Sequence, residues 1–279
     1  QIQMGKNVPE EEALAAYRSS LKSEVQPFTP REKALMKKAF EEVFQTGPLF
    51  QMLFPEKLFL IKVSGKHYGP SAFYTRQNAI VIPAAVLQGR QTQFLQAIMV
   101  HELAHIYSRY HPDIQRECYE ILGFSRLDNP PALPDPLDRQ RLINPDGVSL
   151  TWYIPLVLEK DTIWALPFTY TSRKELTASP TPFFDYLEFG LFALQSAEGA
   201  RGYSLQAGKE GQTTLPPEAM QAYFDRISRN TNYIIHPDEL LAENLKLWYQ
   251  IEKGRTALSD LDGRGQAILT GIRKILERS

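Results

Sequence analysis

The apolar positions between Gln91 and Tyr110 fall at Phe94, Leu95, Ile98 and Met99 with no Pro or Gly among them, and this spacing predicts one long helix. Ahead of it the pattern changes twice. Residues 1–26 are polar with a weakly amphipathic piece from Glu10 to Leu21, which reads as an N-terminal arm or a short packed helix. Thr29, Pro30 and Glu32 then supply a hydroxyl N-cap, a proline in the first turn and the acid of a capping box. A helix is predicted from there to about Gln45, with Leu35, Met36, Ala39, Phe40 and Val43 as its apolar stripe and Gly47-Pro48 as its stop. Branched and aromatic residues from Lys57 to Val63 predict a strand. Ala72 to Thr75 and Ala79 to Ile82 predict a hairpin about Arg76-Gln77-Asn78, whose second strand stops at Pro83 and leads into the long helix.

Beyond Tyr110, Pro112 breaks the helical pattern, and Asp113 is the expected cap of a new helix that runs through Glu120 and ends at Gly123. The prolines from Asp128 to Pro136 mark an irregular loop. Leu150 to Leu158 and Thr162 to Leu166 read as two strands, so residues 128–180 are expected to form a β-rich insertion. Residues 183–279 are expected to be a helical part. It opens with apolar groups at mixed spacing from Phe183 to Ala197, continues through a polar linker from Gly199 to Gln212, and carries helices over Pro216–Arg229, Pro237–Glu252 and Gly265–Glu277. The expectation is a single domain, 1–279, of the α+β class, mostly helical, with a small mixed or antiparallel sheet beside the long helix.

Composition narrows the partners. Hydrophobic residues make up 43% of the 279, enough for a full core, and a formal net charge of -1 offers no field to attract nucleic acid or an anionic membrane. No apolar run is long enough to span a bilayer, so no membrane span is expected. The single cysteine, Cys118, has no internal partner and reads as a small core residue. The chain begins at Gln1 rather than Met, and removal of an export signal would suit the chemistry that follows, so a periplasmic or secreted location is expected ahead of a cytoplasmic one.

That chemistry lies inside the long helix, at His101-Glu102-Leu103-Ala104-His105. Residues four apart stand one turn above each other, so the two imidazoles reach one point from one face, as a clamp for a metal ion. Glu102, one step round the helix, falls beside the ion, where its carboxylate can take a proton from water. Two imidazoles and a carboxylate in an apolar helix are costly to bury without a partner, and a cation supplies one. This is the HExxH arrangement of zinc peptidases, and Zn2+ is the expected cofactor.

A catalytic zinc site uses three protein ligands and a water, so a third ligand is expected from elsewhere. Two candidates stand open. From His236 to Asn244, Pro237 suits the first turn of a helix, and Glu239 and Glu243 stand one turn apart on a single face. One of these carboxylates can bind metal while the other orients a ligating histidine through its free ring N–H. The other candidate, His111, has the spacing of the HExxHxxGxxH pattern, with Ser108 in place of the glycine that turns the chain out of the helix there. Tyr233 and His236, just ahead of the second helix, can reach the site and stabilise negative charge on a carbonyl oxygen. Arg109, one turn past His105, can bind a substrate carboxylate or pair with a neighbouring acid.

The HExxH segment together with Glu239 and Glu243 resembles the gluzincins, the thermolysin-like zinc peptidases, whose third ligand is a Glu on a second helix followed four residues later by an acid, usually Asp. The stretch from Asn230 to Asn244, with Ser108-Arg109 and Gly123-Phe124, is also similar to a group of bacterial proteins known mainly as predicted zinc peptidases. The resemblance implies Glu239 as the third ligand beside His101 and His105, Glu243 as the carboxylate behind a histidine, and Glu102 as the general base. It also implies a zincin-like fold, in which the strand ahead of the motif helix is commonly a sheet edge that pairs with an extended peptide, while the residues themselves read equally well as an ordinary core strand. The implied activity is hydrolysis of a peptide or protein substrate. A zinc-stabilised binding protein without turnover, and a zinc amidase acting on non-protein amides, are the alternative expectations.

Overall fold

Ile80 and Ile82 project from one face of a sheet onto Leu95 and Met99 of the long helix, and this apolar contact sets the layering of the N-terminal half. The structure, a computed structural model, describes residues 9–89, 92–146, 149–173, 183–196 and 202–278. In chain order the first half comprises α1 (Glu10–Glu24), β1 (Val25–Gln26), α2 (Pro30–Phe44), α3 (Pro48–Gln51), β2 (Phe59–Val63), β3 (Tyr74–Arg76), β4 (Ala79–Pro83), α4 (Thr92–Tyr110) and α5 (Pro112–Ile121). The capping box forms as its residue types require: Thr29 Oγ1 accepts from the Glu32 amide at 3.2 Å, and Glu32 Oε2 accepts from the Thr29 amide at 2.8 Å.

The sheet order is β1-β2-β4-β3, with β2 and β4 parallel and the other pairs antiparallel, so the sheet is mixed. The hairpin turns at Gln77, which takes the left-handed conformation (φ 52°) that so tight a return needs. All five residues of β4 are buried between β2 and β3. The strand ahead of the motif helix is therefore an interior strand rather than the sheet edge that the resemblance implies, because the hairpin folds β3 back along it and β3 takes the edge. A smaller correction concerns α5. Pro112, lacking an amide hydrogen to satisfy, opens the helix two positions early, so His111 rather than Asp113 stands at the N-cap. Asp113 lies in the first turn, where the helix dipole favours its charge and Arg116 pairs with it at 3.2 Å.

The second half contains β5 (Ser125–Arg126), α6 (Asp135–Gln140), β6 (Trp152–Leu158), β7 (Asp161–Tyr170), β8 (Glu188–Ser196), β9 (Tyr203–Leu205), α7 (Glu218–Ile227), α8 (Pro237–Glu252) and α9 (Gly263–Leu276). Strands β5 to β9 form an antiparallel meander in sequence order. β6 and β7 lie where the insertion was expected, but the meander runs on into β8, so the described residues between Phe183 and Ser196 are a short 3-10 turn and a strand instead of helix. The mixed apolar spacing there is resolved by pairing: β7 has a free edge, and Leu191, Phe192 and Ala193 are buried when β8 fills it. Part of the expected linker, residues 199–201, and the end of the insertion, residues 174–180, lie outside the described residues.

Among the described residues, nine α-helices and two sheets make an α+β fold. Helix α4 is its axis. Leu95 and Met99 face the first sheet, while Val100, Leu103, Ala104 and Tyr107 join the largest core cluster with Leu240, Leu241 and Leu245 of α8 and Trp152, Ile154 and Leu156 of β6. A helix covered on both sides has no polar face, so polar side chains on it must find partners inside the protein. No described helix is long and apolar enough to cross a membrane.

Candidate metal centre

His101 and His105, one turn apart on α4, are both buried, and their Nε2 atoms stand 3.0 Å from each other. The start of α8 faces them. Glu239, in its first turn, brings Oε2 to 3.2 Å from His101 Nε2 and 3.4 Å from His105 Nε2. A point equidistant from the three atoms lies about 1.9 Å from each, against the roughly 2.0–2.2 Å at which a cation such as zinc bonds imidazole nitrogen and carboxylate oxygen. Glu239 Oε2 is buried without a hydrogen-bond partner among the described residues. Three inward-facing donor atoms of this kind in an apolar interior fit a divalent cation, and the buried His101, His105 and Glu239 could hold a metal ion.

The atoms behind these three are supported in turn. Asp238 Oδ2 lies 2.7 Å from His105 Nδ1, and Asp238 Oδ1 accepts from Ser108 Oγ at 2.7 Å and Tyr119 Oη at 2.6 Å. Glu243 Oε1 lies 3.0 Å from His101 Nδ1 and is itself paired with Lys246. The 3.0 Å approach is an ion-pair contact without the alignment of a hydrogen bond, since His101 Nδ1 otherwise has no hydrogen-bond partner. Asn144 Nδ2 donates to Glu239 Oε1, and Asn144 Oδ1 accepts from the Asp146 amide at 3.1 Å. The Asp238 carboxylate favours a proton on His105 Nδ1, which points Nε2 toward Glu239 as a lone-pair donor, and Glu243 places a second negative charge beside His101 Nδ1.

The buried histidines and acids shift one another's titration. Burial works against charging His101, yet the Glu239 and Glu243 carboxylates raise it to about 9. Burial would raise Asp238, but the charge and hydrogen bond of His105 and the hydrogen bond from Tyr119 hold it down at about 2. Glu243, similarly opposed by burial, is brought to about 2 by His101 and Lys246. Glu102 moves the other way. Burial first, and then the nearby Asp146 carboxylate, push it up to about 8. Its Oε2 is buried with no hydrogen-bond partner among the described residues, and it lines a cavity of about 240 Å³ together with His101, Asp146, Tyr233 and the apolar Phe73 and Ile98.

The remaining sequence candidates separate clearly. Tyr233 lines the cavity, its ring roughly parallel to that of His101 with centroids 6.3 Å apart. His236 does not reach it: Nδ1 accepts from the Asp238 amide at 3.0 Å as the cap of α8, and Nε2 lies 3.1 Å from the Ser149 carbonyl oxygen, so both ring nitrogens are engaged. Burial lowers its pKa, which keeps the ring neutral. His111 is exposed, stacked on Tyr107 with centroids 4.0 Å apart, and has no place in the donor group. Helix α4 runs through Ser108 to Tyr110 without the turn that would bring His111 back. Arg109 braces the β3–β4 hairpin, donating to the Gln77 carbonyl and to Thr75 Oγ1 at 2.7 Å each.

Asp238, Asn144 and Asp146 escape a reading of the sequence. Asp238 carried a signal, since two ligating histidines call for two supporting acids and it directly precedes Glu239. Asn144 and Asp146 sit in an irregular stretch with no periodicity to mark them. No family model matches the chain, and comparison with curated proteins and with solved structures returns no match.

Proposed function

We propose that this protein is a zinc-dependent metallopeptidase of the gluzincin type. The observation that carries the reading is the convergence of His101 Nε2, His105 Nε2 and the unpartnered Glu239 Oε2 beside a cavity on which Glu102 presents a second unpartnered oxygen. Zinc, when bound, supplies a Lewis acid that polarises a carbonyl and makes water more acidic. The chain's own groups do the rest. His101, His105 and Glu239 hold the ion, and Asp238 and Glu243 orient the two rings. Glu102 takes the proton of the attacking water and hands it to the departing amine, a task suited to a carboxylate whose affinity for protons burial has raised.

Tyr233 is the group for the carbonyl oxygen. Burial, and then the surrounding carboxylates, push its titration well above the usual tyrosine range, so its hydroxyl keeps its proton and can donate to developing negative charge. Ile98 and Phe73 exclude water from part of the cavity, which strengthens both interactions. A structural cation without turnover is disfavoured by the donor count, because structural zinc takes four protein ligands and, among the described residues, three converge here.

Glu102→Gln tests the reading. The variant is expected to keep one zinc per chain and to lose at least about a hundredfold in the rate of peptide cleavage. Cleavage by the variant at the parent's rate would overturn the mechanism, and absence of zinc from both proteins would overturn the site.

A further inference from the structure

We infer that Asp146 gives the site a preference for substrates that carry a positive charge close to the scissile bond. The inference rests on the metallopeptidase reading and adds a specificity-determining residue to it. Among the described residues no lysine or arginine lines the cavity, whereas Glu102, Asp146, Glu239 and Glu243 all do. Among the described residues their charged partners are few: Lys246 pairs with Glu243, and Arg109 reaches Asp146 only through Thr75 and the Asp146 carbonyl, so no cation touches the Asp146 carboxylate.

Among the described residues Asp146 is the acid of this group left without a cationic or histidine partner. Glu239 faces the cation, Asp238 and Glu243 face histidines, and Glu102 has the proton transfer to perform. Asp146 is clamped by one oxygen only: Oδ1 accepts from the Thr75 amide and from Thr75 Oγ1, each at 2.7 Å, and Thr75 is held in turn by Arg109. Oδ2 has no hydrogen-bond partner among the described residues. A fixed carboxylate with a spare oxygen, on a cavity that also contains the buried and unpartnered Oε2 of Glu102, is a receptor for an ammonium or guanidinium group. Burial and the Glu239 charge already raise the Asp146 pKa, which a bound cation would relieve. The positive charge can be the α-ammonium of an N-terminal residue or the side chain of a lysine or arginine.

Hydroxamates, which anchor on a catalytic metal, measure this without requiring turnover. Calorimetric titration of the zinc-loaded protein with hexanoyl hydroxamate, norleucine hydroxamate and 6-aminohexanoyl hydroxamate compares no amine, an α-amine and a distal amine on one carbon skeleton. At least one amine is expected to bind about tenfold or more tightly than the neutral compound, and which one identifies the source of the charge. Asp146→Asn, whose amide oxygen can still accept from Thr75, is expected to erase that advantage. Equal binding of all three by the parent, or an advantage that survives in a folded Asp146→Asn variant, would overturn the inference. Should the variant not fold, the comparison within the parent decides. Zinc bound with no hydroxamate binding at all would overturn the inference and the peptidase reading together, whereas equal hydroxamate binding removes the inference alone.

Discussion

Asp238 and Glu239, neighbours in the chain, grip opposite nitrogens of one ring: Asp238 Oδ2 lies 2.7 Å from His105 Nδ1, and Glu239 Oε2 lies 3.4 Å from His105 Nε2. Consecutive residues in a helix diverge by about 100°, so the first turn of α8 can straddle a ring that α4 presents end-on. The N-terminal turn also favours both negative charges through the helix dipole. The contact with His105 Nδ1 and the approach to His105 Nε2 are thus two outputs of one turn.

Asp238→Asn is expected to lower zinc affinity about 10- to 100-fold, because the ring loses the acid that holds its Nδ1 proton, while the chain stays folded on Tyr119 and Ser108 contacts to the amide. Competition with a chromophoric chelator reads the affinity. Unchanged affinity in the folded variant would remove Asp238 from the site's support.

Glu239→Gln and His111→Ala separate the two third-ligand candidates. Metal analysis is expected to show loss of the bound zinc in the first and one zinc per chain in the second, since His111 packs on Tyr107 away from the donor group. The opposite pattern would replace Glu239 with His111. Because an ion held by these donors would join α4 to α8, chelation should also lower the melting temperature; at free zinc about a thousandfold above its dissociation constant the lost stabilisation is about 4 kcal/mol.

Glu32 and Lys62 make a pH-dependent link between α2 and β2. Lys62 Nζ lies 2.8 Å and 2.9 Å from the two Glu32 oxygens, with both side chains largely buried. The hydrogen bond from Lys62, followed by that from the Thr29 amide, lowers the Glu32 pKa. A carboxyl depressed in the folded state contributes stability that is present above its unfolded pKa, near about 4.3, and lost as pH falls through the folded value. Glu32→Gln keeps an acceptor for the cap and removes the charge. Denaturant unfolding should place it about 1–2 kcal/mol below the parent at pH 7, after allowance for partial exposure, with the gap closing below pH 4. A gap that is constant with pH would refute the charge-based account.

Cys118 is buried in the largest core cluster, and burial pushes its thiol up to about 12. The folded protein is expected to resist a thiol-specific disulfide reagent at pH 8 and to react with one equivalent on unfolding. Rapid labelling of the native chain would contradict the packing of α5.

Caps and periodicity make several elements legible in the chain. The bounds of α2 follow from its capping box, α8 begins at Pro237 as a proline in a first turn should, and the imidazole pair on α4 follows from its spacing of four. Strand β8 is less legible, because its apolar residues match a strand only once β7 offers an edge. His236 looks like a catalytic candidate until its cap and its contact with Ser149 are seen to use both nitrogens.

Interactions that close within a turn or a hairpin are written in neighbouring residues, and so the helices, the mixed-sheet hairpin and the facing pair of histidines can be read along the chain. Which acid meets which nitrogen, and the arrival of Asn144 and Asp146 at the cavity, depend on packing α8 against α4 and on a loop more than thirty residues beyond the motif. Such contacts are selected by the global fit of apolar surfaces, for which no local spacing stands as a sign.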